Sequence, residues 1–132
     1  MKKKKIAVVA SGWHFPEQFY KEVASQELPD GWEMDLFCVS HRDPSFAIEE
    51  KKDKKFEGER AFLDERLYTK VLSKEKIEAL GWKYTEEPNT VGDWGNSNQW
   101  LEKNDYKKYD LFLFTHDDNL ILSKQWFKTI IL

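Results

Sequence analysis

A polar cluster follows an apolar run near the end of the chain. The segment YDLFLFTHDDNLIL (109–122) places His116, Asp117, Asp118 and Asn119 between two apolar stretches. Two adjacent carboxylates repel each other unless a cation or hydrogen bonds compensate their charge. A Mg²⁺ or Mn²⁺ ion shared with a diphosphate would do so, because such ions take one or two carboxylates and complete their shell with water and phosphate oxygens. A helix N-cap is the other interpretation, and the spacing alone favours neither.

Two earlier apolar runs also end in polar residues. The first ends in SGWH (11–14) and the second in SHRD (40–43). Gly12 would let a ligand approach the backbone, and Trp13 either stacks on a base or packs in the core. These stretches are therefore candidates for a ligand site, although each residue type also has an ordinary structural use.

A glycine-rich stretch, NTVGDWG (89–95), lies between a predicted strand and a predicted helix. Gly92 could give a ligand close access, and Asp93 could hydrogen-bond a base or a ribose. A capped loop is the alternative interpretation of the same residues.

Several common catalytic and binding motifs are absent from the sequence. Without GxGxxG or GxxxxGK[ST], a dinucleotide or P-loop site is not expected. Without GxSxG, a nucleophile elbow is not expected, and one Cys with three His gives too little clustering for zinc. Cys38 cannot form an internal disulfide, and we expect it to be a small buried residue in a reducing, cytoplasmic environment.

Composition bounds the class of protein. The 132 residues are 40% hydrophobic and 15% aromatic, which predicts one folded domain over residues 1–132. The net charge of -3 gives no overall attraction to nucleic acid or to a membrane surface. Lys2–Lys5 is interpreted as a solubilising lead-in, and no stretch approaches the roughly 20 apolar residues of a membrane span.

The predicted elements bring the polar groups together. Strands are predicted over residues 5–11, 32–40, 82–88 and 109–115. Helices are predicted over residues 16–26, 60–72, 74–80 and 96–103. This order predicts an α/β fold with a mostly parallel sheet. In such sheets ligands bind at the carboxyl ends of the strands, near the point where the strand order reverses.

The chain resembles the nucleotide-binding half of a GT-A-type glycosyltransferase, close to the broad family-2-like group. Residues 109–122 resemble the segment in which an apolar strand ends in a DxD signature. Residues 89–110, NTVGDWGNSNQWLEKNDYKKYD, resemble the segment in which an Asn-x-x-Gly-Asp/Glu turn opens a helix leading into that strand. The resemblance implies a Rossmann-like three-layer α/β/α half-domain that lacks a C-terminal acceptor and catalytic portion.

The resemblance also implies a function and a set of site residues. The ligand would be a UDP- or GDP-type sugar, whose sugar would be transferred to an unknown acceptor. His116 and Asp118 match the first and last DxD positions and would bind Mn²⁺ or Mg²⁺. The remaining implied nucleotide-sugar contacts are Ala10, Ser11, Gly12, Trp13, His41, Arg42, Asp43, Gly92, Asp93 and Asp117.

Two further expectations concern activity and association. A non-catalytic nucleotide-binding or interaction domain that retains the half-fold is the alternative to an enzyme. The apolar end of the chain, WFKTIIL (126–132), makes self-association an expected property.

Overall fold

A computed structural model of the chain describes residues 3–52, 70–88, 92–118 and 121–131. The strands in these ranges are β1 (Lys4–Gly12), β2 (Trp32–Ser40), β3 (Trp82–Glu86) and β4 (Leu111–His116). The helices are α1 (Glu17–Ala24), α2 (Pro44–Lys52), α3 (Lys74–Ala79), α4 (Gly92–Lys103) and α5 (Trp126–Ile131). A 3₁₀ turn, Tyr106–Lys108, precedes β4.

The four strands form one sheet in the order β3-β2-β1-β4, and every neighbouring pair is parallel. The predicted α/β class is confirmed, and the described sheet is parallel throughout. The chain builds outward from β1 to β2 and β3, and then returns to place β4 on the other side of β1. The strand order therefore reverses between β1 and β4, which is where doubly wound sheets bind their ligands.

The central strand β1 is buried on both faces of the sheet. Ile6, Val8 and Ala10 lie on one face, Ala7 and Val9 lie on the other, and at most 2% of any of these residues is exposed. Burial on both sides explains why the sequence of β1 is continuously apolar instead of alternating. Ala10, a predicted contact of the nucleotide sugar, instead belongs to this core and has no exposed surface.

The larger apolar core covers one face of the sheet. Phe19, Tyr20 and Val23 form the buried side of α1, because positions three and four apart share one helix face. Ile77 of α3 and Phe127 of α5 join the same core. This face supports the beginning of α1 and hence the loop that connects it to β1.

The smaller core lies on the opposite face and is largely aromatic. Trp100 of α4 packs against Phe37, Tyr109 and Phe112, with ring centroids 5.1, 5.8 and 5.9 Å away. Trp100 is 2% exposed. These contacts fix α4 against the sheet.

Most element predictions are confirmed with small shifts in their ends. Ser73 caps α3 as expected, since its side chain accepts from the Lys76 N–H at 3.4 Å. Helix α4 begins at Gly92 instead of Asn96, and β4 begins two residues later than predicted. Residues 60–69 of the predicted helix 60–72 lie outside the described residues, and its described end, residues 70–72, is not helical because Val71 forms an antiparallel bridge with Pro16. None of the helices that the structure describes is long and apolar enough to cross a membrane.

Candidate functional site

The loop after β1 and the end of β4 meet at the carboxyl edge of the sheet. Ser11 of β1 is paired with His116 of β4, so residues 13–15 and 117–118 leave the sheet side by side. This is the point of strand-order reversal described above. The structure therefore brings SGWH and THDD together, as the predicted topology requires.

Asp117 holds the β1–α1 loop in place. The backbone N–H groups of Trp13, His14 and Phe15 donate to its Oδ2 at 3.0, 3.1 and 2.8 Å, and the Tyr20 hydroxyl donates at 2.9 Å. The residue is 1% exposed. Its predicted contact with a nucleotide sugar is corrected by this geometry, because Oδ2 already receives four hydrogen bonds from the chain. Three consecutive amides around one carboxylate form the kind of nest that binds anions in other proteins.

Tyr20 and Cys38 lie behind Asp117 in the core. The Tyr20 hydroxyl is 3.4 Å from Cys38 Sγ, and the Trp82 indole donates to the Tyr20 carbonyl at 3.0 Å. Burial raises the pKa of Asp117, and the backbone donors of Phe15 and Trp13 oppose that shift. Burial also raises the pKa of Cys38, which therefore remains a thiol at neutral pH, as expected for a small buried residue.

The backbone of the β1–α1 loop is tightly constrained. Phe15 has φ of 54°, the left-handed region that residues other than glycine rarely adopt, and its side chain is fully buried. The Asp117 hydrogen bond to its N–H helps to hold this conformation. The Phe15 ring lies over Gly12, where an added Cβ would be 2.8 Å from Phe15 Cε1 and 2.9 Å from Cys38 Sγ. Gly12 is thus required for internal packing.

Gly12→Ala should destabilise the fold by about 1–3 kcal/mol, because the added methyl group overlaps Phe15 and Cys38. Urea denaturation followed by circular dichroism measures the loss. In a double-mutant cycle with Cys38→Ala, the two losses should sum to more than the loss in the double mutant, since removing Sγ relieves one overlap. Additive losses would contradict the proposed steric cause.

Trp13 and Arg42 form a stacked pair on the surface of the same edge. The Arg42 Cζ is 4.2 Å from the centroid of the Trp13 ring, and Arg42 Nε donates to the Trp13 carbonyl at 2.7 Å. Trp13 is 39% exposed. Ser40 supports the pair from below, because its hydroxyl donates to the Gly12 carbonyl at 3.1 Å and accepts from the Arg42 N–H at 3.0 Å. A partly exposed aromatic ring beside a guanidinium can stack on a planar ligand.

His41 and Asp43 flank this pair with different roles. His41 Nε2 is 3.3 Å from Gln99 Oε1, which links the end of β2 to α4. Asp43 precedes α2 and accepts from the Ser45 N–H at 2.8 Å, and this backbone hydrogen bond lowers the pKa of Asp43. Asp43 is therefore an N-cap residue of α2, which sequence reasoning had assigned to the nucleotide pocket.

His116 and Asp118 are both exposed on either side of the buried Asp117. They are the two predicted metal ligands. Among the described residues no group of three or more His, Cys, Asp or Glu could hold a metal ion by itself. A carboxylate such as that of Asp118 suits Mg²⁺ or Mn²⁺, whereas an imidazole such as that of His116 is more typical of zinc, copper, iron or nickel sites.

Two other predicted positions, Gly92 and Asp93, lie next to an undescribed segment. Gly92 and Asp93 occupy the first turn of α4, and residues 89–91 and Asn119 lie outside the described ranges. The Gln99 amide donates to the Pro88 carbonyl at 2.9 Å. Gln99 therefore joins the end of the β3 segment, helix α4 and His41.

Two glutamines that the sequence analysis does not single out hold the chain beyond β4 in place. Gln18 lies in α1, and Gln26 lies just after it. Gln18 accepts from the Ile121 N–H at 3.0 Å and donates to the Ile121 carbonyl at 2.5 Å. Gln26 accepts from the Phe127 N–H at 3.1 Å and donates to the Ser123 carbonyl at 2.5 Å. A glutamine in or just after a helix gives no sequence signal for such a long-range contact.

Comparison of the chain with protein-family models, with curated proteins and with solved structures finds no match.

Proposed function

We propose that the chain is the nucleotide-binding half of a GT-A-type glycosyltransferase, with a three-layer α/β/α arrangement, and that it binds a UDP- or GDP-type sugar together with a divalent metal. The observation that carries the proposal is the convergence of polar groups at the point where the strand order reverses. There the Trp13–Arg42 pair and the exposed His116 and Asp118 lie at the carboxyl edge of one parallel sheet.

Trp13 and Arg42 are suited to the base and ribose end of the ligand. An indole ring offers a stacking surface, and a guanidinium adds a fixed positive charge and a planar face. The position of Trp13 is set by Asp117, through the N–H groups of residues 13–15. In this proposal Asp117 acts on the nucleotide only through the loop that it holds.

His116 and Asp118 are suited to the diphosphate end. They would hold Mn²⁺ or Mg²⁺, which when bound neutralises charge on a departing nucleoside diphosphate. The chain supplies two ligands here, so the metal and the diphosphate should bind cooperatively, each completing the site for the other. Gly92 and Asp93, in the first turn of α4, remain candidates for contact with the nucleoside.

UDP or GDP with Mn²⁺ should raise the Tm of the chain. At a ligand concentration about 100 times Kd the stabilisation is about 2.7 kcal/mol, which corresponds to about 10 °C for a domain of this size. Asp118→Asn should remove the shift, because the substitution deletes the charged metal ligand. Thermal denaturation with and without Mn²⁺ provides the measurement.

Asp30→Asn is the matched control, since Asp30 is an exposed carboxylate in the turn before β2, at the opposite edge of the sheet. Its nucleotide shift should equal that of the wild type. The proposal fails if neither nucleotide moves the wild-type Tm in either condition. Release of sugar from the donor would distinguish an enzyme from the alternative, a domain that binds nucleotide without turnover.

A further inference from the structure

A basic depression lies at the amino edge of the sheet, away from the candidate nucleotide site. It has a volume of about 390 Å³ and is lined by five lysines and two carboxylates. The lysines are Lys3, Lys4, Lys5, Lys107 and Lys108. They come from two stretches about 100 residues apart in sequence, which the parallel pairing of β1 with β4 brings together.

Two hydrogen bonds between Lys5 and Asp110 fix these stretches side by side. The Lys5 N–H donates to Asp110 Oδ2 at 2.8 Å, and the Asp110 N–H donates to the Lys5 carbonyl at 2.8 Å. The turn before them is also ordered, because Asp105 accepts from the Lys107 N–H at 3.2 Å. The two lysine stretches are therefore held in place by the fold before any ligand arrives.

The positive charge of the depression is only partly compensated. Lys5 forms an ion pair with Glu33 at 3.2 Å, and the Asp110 carboxylate accepts the Lys5 N–H. The other four lysines, which we call the amino-edge cluster, are Lys3, Lys4, Lys107 and Lys108. Within the described ranges none of the four forms an ion pair; the ammonium groups of Lys4 and Lys108 instead lie 5.7 and 5.5 Å from the rings of Trp32 and Tyr109.

We propose that the amino-edge cluster binds an anion that carries two or more phosphate groups. Lysine ammonium groups bind phosphate as mobile point charges. Four of them around one depression suit a ligand with several phosphate oxygens better than a ligand with a single carboxylate. Such an anion could be a soluble polyphosphorylated molecule or the headgroup of a phosphoinositide. The nine residues of β1 place this site about 26 Å from the candidate nucleotide site.

Inositol hexakisphosphate and phosphatidylcholine vesicles with and without phosphatidylinositol bisphosphate are the probes. The chain should bind at least one of the two, measured by calorimetry for the first and by co-sedimentation for the second, and this binding should weaken as salt is raised. Binding to both identifies a lipid headgroup as the source, and binding to the soluble probe alone identifies a soluble ligand.

The double variant Lys107→Gln/Lys108→Gln should weaken binding about 25-fold, since each lysine near an anionic surface contributes about fivefold. Lys21→Gln/Lys128→Gln removes the same charge from exposed helix positions elsewhere and should leave binding unchanged. Asp118→Asn should also leave it unchanged, which separates this site from the proposed nucleotide site.

Three results would overturn the proposal. The first is a wild-type chain that binds neither probe at low salt. The second is an equal loss in the control pair, which would indicate attraction by general charge. The third is tighter binding to a duplex oligonucleotide than to either phosphate probe, which would assign the lysines to nucleic acid.

Discussion

Asp117→Ala should destabilise the chain by about 3–5 kcal/mol, because it leaves two buried and two partly buried donors without an acceptor. The affected donors are three consecutive backbone N–H groups and the Tyr20 hydroxyl. The substitution also removes a hydrogen bond that holds Phe15 at φ of 54°. Urea denaturation measures the loss as a lower midpoint.

The neighbouring carboxylate provides a matched control. Asp118 is exposed, so Asp118→Ala should change stability by less than about 0.5 kcal/mol. The stability loss of Asp117→Asn should lie between those of Asp117→Ala and Asp118→Ala, at about 1–2 kcal/mol. The amide oxygen can replace Oδ2 as acceptor. The amide nitrogen would replace Oδ1, which accepts from the His14 N–H at 3.2 Å, and would place two donors against each other. Equal losses at positions 117 and 118 would contradict the division of structural and ligand-facing roles.

Trp100→Ala should cost about 3–5 kcal/mol, the range for truncating a large buried aromatic residue. Trp100 fills the smaller core, where the rings of Phe37, Tyr109, Phe112 and Phe114 lie within 6.1 Å of it. Removing it also loosens α4 from the sheet, so the proposed nucleotide binding should weaken together with stability. Urea denaturation and the nucleotide-induced Tm shift measure these two effects.

Leu101→Ala serves as the control, because Leu101 follows Trp100 on α4 but is 37% exposed. It should cost less than about 1 kcal/mol. Trp100→Phe should cost about 1–2 kcal/mol, since it keeps an aromatic ring and deletes an indole N–H that no described residue accepts. If Trp100→Ala and Leu101→Ala have the same effect, the smaller core does not hold α4 as described.

The sheet could be predicted from the sequence because its strands are distinctive. The continuous apolar runs of β1 and β2 are typical of strands buried on both faces, and the alternation with helices predicts parallel pairing. The start of α4 could not be predicted as well, since Gly95 and Asn96 have low helix propensity. The packing of Trp100 and the hydrogen bonds of Gln99 hold that helix against the sheet and the neighbouring strand ends. Neither contact can be recognised from the local sequence.

The meeting of the ends of β1 and β4 could be predicted from the sequence, whereas the roles of individual side chains there could not. The topology placed SGWH beside THDD, but adjacent acids in a sequence do not reveal which one faces inward. Asp117 is buried because the loop after β1 offers it three amides, and that loop conformation depends on contacts about 100 residues away. The sequence predicts that Gly12 gives a ligand access to the backbone, whereas in the structure its missing side chain leaves room for the Phe15 ring.

The hydrogen bonds of Asp117 also have a consequence for the order of folding. They join residues separated by 102–104 positions along the chain. The loop after β1 therefore cannot reach its final conformation until residue 117 has left the ribosome, which takes about 5–20 s at typical rates of synthesis. During that interval one edge of β1 also lacks its β4 partner. Because such distant pairings are slow to form, we expect closure of this loop to be a late event in folding.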